Sequence, residues 1–216
     1  MIRNLLLVAL LGLAAVPAIG QPGVAPAPGQ AEAQAPTTAP RPATVRVSLQ
    51  TSEGSLVLEL EKERAPITTA NFLRYVDQKR LDGTSFYRAT KVADGYGLIQ
   101  GGLRNDPNRL LPPITHEPTS LTGLSHIDGA ISMARAAPGS ATADFFITIG
   151  AIPSMDANPA QLGDNLGFAV FGRVVEGMDV VRRILNAPTS PTEGEGAMKG
   201  QMLTAPIKII AARRAQ

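Results

Sequence analysis

The chain has 216 residues but no cysteine, no tryptophan and only two histidines, His116 and His126. Without cysteine there are no disulfides, thiolate nucleophiles, iron–sulfur clusters, Cys-ligated zinc or lipid-modified N-terminal cysteine. Two histidines leave no multi-histidine metal cage. No H-E-x-x-H and no carboxylate cluster stands in for one, so neither metal nor other cofactor is expected. Surplus charge is also scarce. Twenty Lys+Arg against 18 Asp+Glu leave +2, too little for a phosphate-binding face, which argues against nucleic acid as a partner. There is no G-x-S-x-G nucleophile elbow, and Ser125, His126 and Asp128 sit beside a turn at Asp128-Gly129 with no sign of an oxyanion hole. His126 therefore reads as a surface or capping residue, and His116, beside Glu117-Pro118, reads the same way.

What is present is unevenly spread. All nine aromatics fall between Phe72 and Phe171, and six of the 18 prolines fall between Pro22 and Pro42. Residues 1–4 carry Arg3 and the terminal amine, and residues 5–19 are uncharged and apolar. A membrane-spanning helix usually needs about 20 such residues, and this run is shorter, with Pro17 near its end. A basic start, a short apolar run and the small residues Ala18 and Gly20 read as a secretory signal peptide over 1–20; a buried helix or an uncleaved anchor is the plainer alternative. A second cleavage point follows Ala35. Residues 21–43, rich in Pro, Ala, Gly and Gln, cannot bury enough surface to offset their ordering entropy and read as a linker, with a Pro-rich ligand as the alternative.

The folded part begins near Ala43. Val45, Val47 and Leu49 alternate with polar residues, and Leu56, Leu58 and Leu60 alternate again after a Gly54-containing turn, which predicts a β-hairpin. Pro66 suits the first turn of a helix in which Ala70, Leu73 and Val76 share a face, beside Phe72 and Tyr75. Strands are expected over 84–90, 98–100, 130–134, 145–149, 168–174 and 207–211. A second helix is expected from Gly177, with Met178, Val181, Ile184 and Leu185 on one side. Too few strands alternate with helices for a parallel sheet, so the spacing fits a mainly β, antiparallel barrel covered by two helices. Arg213-Arg214 reads as part of a short solvated tail, 213–216.

Some residues in these elements could carry chemistry. Strand alternation puts Phe86 and Arg88 on one face, either as an aromatic–guanidinium pair or as an ordinary surface Arg over an apolar ring. Gln100 ends a strand before Gly101-Gly102, a pair that permits close backbone approach. Its amide either orients a neighbour or simply ends the strand. Phe145 and Phe146 must point to opposite faces, one inward and one onto a surface, unless a barrel end buries both.

Six segments in order resemble the cyclophilin-type peptidyl-prolyl isomerases: A-P-I-T-T-A-N-F-L-R-Y-V from Ala65, D-G-T-S-F-Y-R from Asp82, L-I-Q-G-G from Leu98, D-G-A-I-S-M-A-R from Asp128, A-D-F-F-I from Ala143 and G-F-A-V-F-G-R-V-V-E-G-M-D-V-V from Gly167. Together they span nearly all of 44–212. The resemblance implies a closed eight-stranded antiparallel barrel capped by two helices, with a peptide groove on its outer face. It implies Arg88 as the catalytic arginine, Gln100 as its catalytic amide neighbour and Phe86 beside it. Leu98 and Phe146 would wall a proline pocket, and Ala134 and Arg135 would hold the substrate backbone.

The chain departs from that pattern in several places. The segment from Arg88 to Gln100 is long, and Gly97 stands where a pocket aromatic is usual; Tyr96 replaces it if the segment shifts by one residue. Asp144 replaces a Gln, Arg135 an Asn and Phe168 the pocket His. The missing indole implies weak cyclosporin binding. The resemblance and the signal-like leader together imply isomerisation of Xaa-Pro bonds in exported polypeptides, with the periplasm as the compartment and no membrane contact after cleavage. The alternative is a proline-peptide-binding chaperone or scaffold with little turnover.

Overall fold

The computed structural model describes residues 42–104, 106–160 and 162–215. The expected signal peptide (1–20) and all but the last two residues of the linker (21–43) lie outside the described residues.

Strands β1 (Val45–Thr51) and β2 (Gly54–Leu60) form the expected hairpin, running in register from Val45↔Leu60 to Thr51↔Gly54. Val47, Leu49, Leu56, Leu58 and Leu60 are fully buried, so the alternation seen in the sequence is the inward face. Helix α1 (Pro66–Asp77) follows. Leu73 and Val76 are buried together with Thr69 and Phe72, but Ala70, expected on their face, is exposed. Its N-terminus has no local cap. The Glu117 carboxylate, far along the chain, instead accepts the Ile67 and Thr68 backbone N–H groups (3.1 and 2.7 Å) and the Thr68 hydroxyl (2.6 Å), satisfying donors that a helix start leaves unpaired.

Strands β3 (Thr84–Ala93) and β4 (Tyr96–Gly102) pair as one long hairpin turning at Asp94-Gly95. Much of the expected long loop is thus strand. Lys91, Val92 and Ala93 are exposed, so no buried face imposed a period of two on that stretch. The short helix α2 (Thr119–Thr122) precedes β5 (Ala130–Met133), β6 (Phe145–Ile149) and β7 (Ala169–Glu176). Helix α3 (Met178–Leu185), the two-residue β8 (Thr189–Ser190) and the long β9 (Met202–Arg214) complete the order. Arg213 and Arg214 belong to β9 and are not a tail. Arg213 is paired with Asp82 and Arg214 with Asp77, and the Ala215 N–H donates to the Arg46 carbonyl.

All pairings are antiparallel, in the order β1-β2-β7-β5-β6-β4-β3-β9, and β1 pairs back onto β9. Eight strands therefore close a barrel, which removes the free edges of an open sheet, and β8 adds to β9 outside it. Phe72 of α1 sits on Phe145 and Phe171 (ring centroids 5.4 and 5.3 Å), and Phe86 meets Phe145 edge-on at 5.7 Å. Such edge contacts each add roughly 0.5–1.5 kcal/mol beyond area burial. Val181, Ile184 and Leu185 of α3 are buried as expected, with Met178 only partly so.

Candidate active site

The groove owes its polar wall to an irregularity in β3. Phe86 pairs with Gly101 and Arg88 with Gln100, so Tyr87 is one residue too many on the β3 side. Such a bulge breaks the two-residue period. Phe86 is fully buried in the barrel, against Phe145, whereas Tyr87 and Arg88 both face the cavity. The sequence expectation that Phe86 and Arg88 share a face, with Phe86 beside substrate, is corrected on this point. Gly101 lets Phe86 fill the interior, because a Cβ there would collide with the Phe86 ring and the Ser85 carbonyl. Gly102, at φ +134, likewise leaves room for Asp144.

The cavity measures about 830 Å³. One wall is polar. Arg88 Nη1 donates to Gln100 Oε1 (2.7 Å), while its Nε and Nη2 donate to Gln201 Oε1 (2.9 and 2.6 Å). The Gln201 oxygen also accepts the Thr90 hydroxyl (2.7 Å), and its Nε2 is tied to the Ala197 carbonyl (2.8 Å). A guanidinium has five N–H donors. Three are engaged here, leaving one on each Nη. Among the described residues no carboxylate pairs with Arg88, so none of them neutralises its charge. Burial lowers its pKa from the usual arginine value, and the neighbouring Tyr87 opposes that shift. An arginine nonetheless stays protonated at neutral pH. Gln201, 113 residues from Arg88 in sequence, was not foreseen; nothing near it in the chain marks it.

The opposite wall is apolar. Phe146 lies across from Gln100 in the β4–β6 register and so projects to the same outer face. Its ring meets Phe168 edge-on at 5.4 Å, and Leu98, Ala134 and Met155 complete this side. Phe145 takes the inward position. Met198 and Met202, from the short turn Gly196–Met198 and the start of β9, add apolar rim on the Arg88 side and were likewise not foreseen. Tyr96 is not part of the cavity. Its ring packs over Gly150 at the end of the β4–β6 pair: Gly97 pairs with Lys91 in continuous register with Leu98 and Thr90, and a second irregularity, between Lys91 and Ala93, falls where Tyr96 begins β4.

Ala134 and Arg135 follow the end of β5. The Ala134 N–H is used by the Asp144 carbonyl (2.8 Å). The Arg135 side chain lines the cavity with its donors engaged inside the protein. It forms a two-pronged ion pair with Asp164 (2.9 Å for each bond), donates to the Gly167 carbonyl and stacks over Phe168 at 5.1 Å. Arg135 and the Leu166 N–H hold Asp164 down at a pKa of about 2.

His126 is buried, not a surface cap, and the correction has a clear cause. Its Nδ1 lies 2.6 Å from Asp156 Oδ1 and its Nε2 3.0 Å from the Ser132 hydroxyl, partners that the sequence places 30 and 6 residues away. A neutral ring donating to Asp156 and accepting from Ser132 satisfies both nitrogens. Burial lowers its pKa against the opposing pull of Asp156. The ring is stacked behind Phe146 at 5.7 Å with 8° between planes. Ser132 has no exposed surface, so the three groups support the apolar wall and do not form a hydrolytic triad.

Among the described residues no group of three metal-ligating side chains occurs, and no helix is long and apolar enough to cross a membrane. The family described as cyclophilin-type peptidyl-prolyl cis-trans isomerase matches residues 46–213. A peptidyl-prolyl cis-trans isomerase of Acinetobacter baylyi is 35% identical over 171 residues, covering 78% of this chain and 84% of that protein. The isomerase cyp18 of Streptomyces antibioticus is 38% identical over 151 residues, covering 68% and 87%. In fold, the chain is similar to a crystal structure of a Cryptosporidium parvum cyclophilin-type isomerase, with TM-score 0.63 and 22% identity over 81% of this chain and 99% of that one. A second structure of that protein was determined in the presence of the dipeptide Ala-Pro. The matched span, the two bacterial relatives and the closed barrel agree: the chain belongs to the cyclophilin-type peptidyl-prolyl cis-trans isomerase family.

Proposed function

We propose that this isomerase accelerates Xaa-Pro rotation by hydrogen bonding from Arg88 to the prolyl nitrogen, and that its substrates are exported polypeptides. Twisting a peptide bond forfeits amide resonance, a barrier of ~18–20 kcal/mol. At the twisted geometry the nitrogen lone pair is localised and becomes a good acceptor. A donor fixed at that position favours the transition state over both ground states, which is what lowers the barrier. The observation that carries this reading is the Arg88 fork. It is held between two neutral amide oxygens, with one N–H on each Nη left over, across the cavity from the apolar wall of Leu98, Phe146 and Phe168. That wall suits a proline ring while the acyl side turns. No covalent intermediate is required.

Uncatalysed X-Pro isomerisation takes tens to hundreds of seconds and can limit folding, so a foldase for newly exported chains has a physical task. The basic, apolar and Pro-rich leader over 1–43 supports export and the periplasm, and cell fractionation with N-terminal sequencing of the mature protein tests it. Weak cyclosporin binding follows from the absence of tryptophan and is read as weak inhibition. The main test is NMR exchange spectroscopy on an Ala-Pro peptide with catalytic amounts of the purified protein and of Arg88→Ala. Acceleration by the wild type and a loss of roughly 10²–10³-fold in the variant are expected. Binding without acceleration in either protein would leave only a proline-recognition module, and equal acceleration by both would remove Arg88 from the centre.

A further inference from the structure

The Gln100 amide that touches Arg88 is itself held from behind. Gln100 Nε2 lies 2.8 Å from the Tyr87 hydroxyl, and that hydroxyl lies 3.2 Å from Asp144 Oδ2. The direction of every proton in this row is fixed by its ends. Arginine can only donate, so Gln100 must turn its oxygen to Arg88 and its NH₂ to Tyr87. A carboxylate can only accept, so the Tyr87 proton must point at Asp144, leaving the phenol oxygen to accept from Gln100. Asp144 is held in turn by the Arg104 N–H on its other oxygen (2.9 Å). Tyr87 is 6% exposed, and burial with the nearby Asp144 keeps its hydroxyl protonated well above the ordinary phenol range.

We propose that Tyr87 and Asp144 are positioning residues of the isomerase centre, a pair that anchors the Gln100 amide from behind so that its oxygen stays seated on Arg88. This rests on the reading of Arg88 as the rotating donor. Neither residue need touch the prolyl nitrogen. The β3 bulge that seats Tyr87 and Arg88 on the same face is what makes the row possible. With the hydroxyl removed, the amide NH₂ loses its fixed acceptor, and the Gln100 oxygen is anchored by Arg88 alone. The amide is then free to swing off the guanidinium, and one of the two supports of the fork is loosened. The apolar wall of Leu98, Phe146 and Phe168 takes part in none of these hydrogen bonds.

The test is a cycle of variants in the peptide exchange assay, with affinity measured in parallel. Losing one such hydrogen bond is worth about 1 kcal/mol, so Tyr87→Phe should slow exchange about fivefold. Peptide affinity should stay within about twofold, the signature of an interaction used only in the transition state. In a Gln100→Ala background, Tyr87→Phe should have no further effect, because its action passes through that amide. Asp144→Asn should slow exchange in the same way, since an amide cannot accept from both Tyr87 and the Arg104 N–H through two oxygens. Wild-type exchange in Tyr87→Phe alongside an inactive Arg88→Ala overturns the positioning pair and leaves the Arg88 reading intact. The same fractional loss in both Gln100 backgrounds also overturns it. Full activity of Arg88→Ala removes the reading on which the pair rests.

Discussion

Two of the three arginines that line the groove, Arg88 and Arg135, have opposite fates. Arg135 faces Asp164 through two parallel bonds, gives another to the Gly167 carbonyl and lies over Phe168, so its donors and its charge are consumed within the protein. Among the described residues the Arg88 guanidinium hydrogen-bonds only to the amide oxygens of Gln100 and Gln201, which fix its direction without cancelling its charge. A bidentate carboxylate partner makes an arginine part of the framework. Neutral acceptors leave it oriented and still positive, and such preorganised charge is what lowers a barrier in which a lone pair appears. On the proposed mechanism the same contrast divides the cavity: the wall beside Arg135, with Phe146 and Phe168, holds the substrate, and the wall at Arg88 acts on it.

The division can be broken from the holding side first. Phe146 is 3% exposed, packed between His126 and Phe168. Phe146→Ala should cost roughly 3–5 kcal/mol of stability by denaturant titration. It should also raise the peptide dissociation constant well beyond any effect of Arg88→Ala. A variant that binds peptide normally would dissolve the distinction between the walls. From the acting side, Gln201→Ala removes the oxygen that receives Arg88 twice, with Thr90 as its third donor. Exchange should fall about tenfold with affinity unchanged, since hydrogen bonds to a charged group are worth about 1.5–3 kcal/mol.

The smallest effect concerns the support behind Phe146. The folded pKa of His126 lies below its unfolded value of about 6.5. As pH falls through that value the unfolded chain takes up a proton that the folded chain refuses. Stability is therefore whole above it and declines below it, by an amount on the order of 1 kcal/mol per pH unit at most. Thermal melts at pH 7.5 and 5.5 should show the loss, and His126→Gln should flatten the slope relative to wild type.

How far the sequence reached depended on whether a signal was local. The 44–60 hairpin was legible because its leucines and valines bury one face of two adjacent strands, and the opposed roles of Phe145 and Phe146 followed from the same period. Phe86 was misplaced because a single extra residue at Tyr87 inverts every side chain after it, and a bulge leaves no mark in composition. The extension of β3 to Ala93 was missed because both its faces meet solvent. His126, Gln201 and Tyr96 were beyond reach for a different reason: their partners, Asp156, Arg88 and Gly150, are brought to them only by closing the barrel.

The most direct test replaces Arg88 and Arg135 in turn by lysine and measures Ala-Pro exchange and peptide affinity side by side. Lysine keeps the charge but cannot span Gln100 and Gln201 as a planar fork. Arg88→Lys should lose more than about tenfold in exchange at nearly unchanged affinity, while Arg135→Lys should keep exchange within about threefold of wild type. Full exchange in Arg88→Lys, or a larger loss in Arg135→Lys than in Arg88→Lys, would contradict the assignment of rotation to the oriented Arg88 guanidinium.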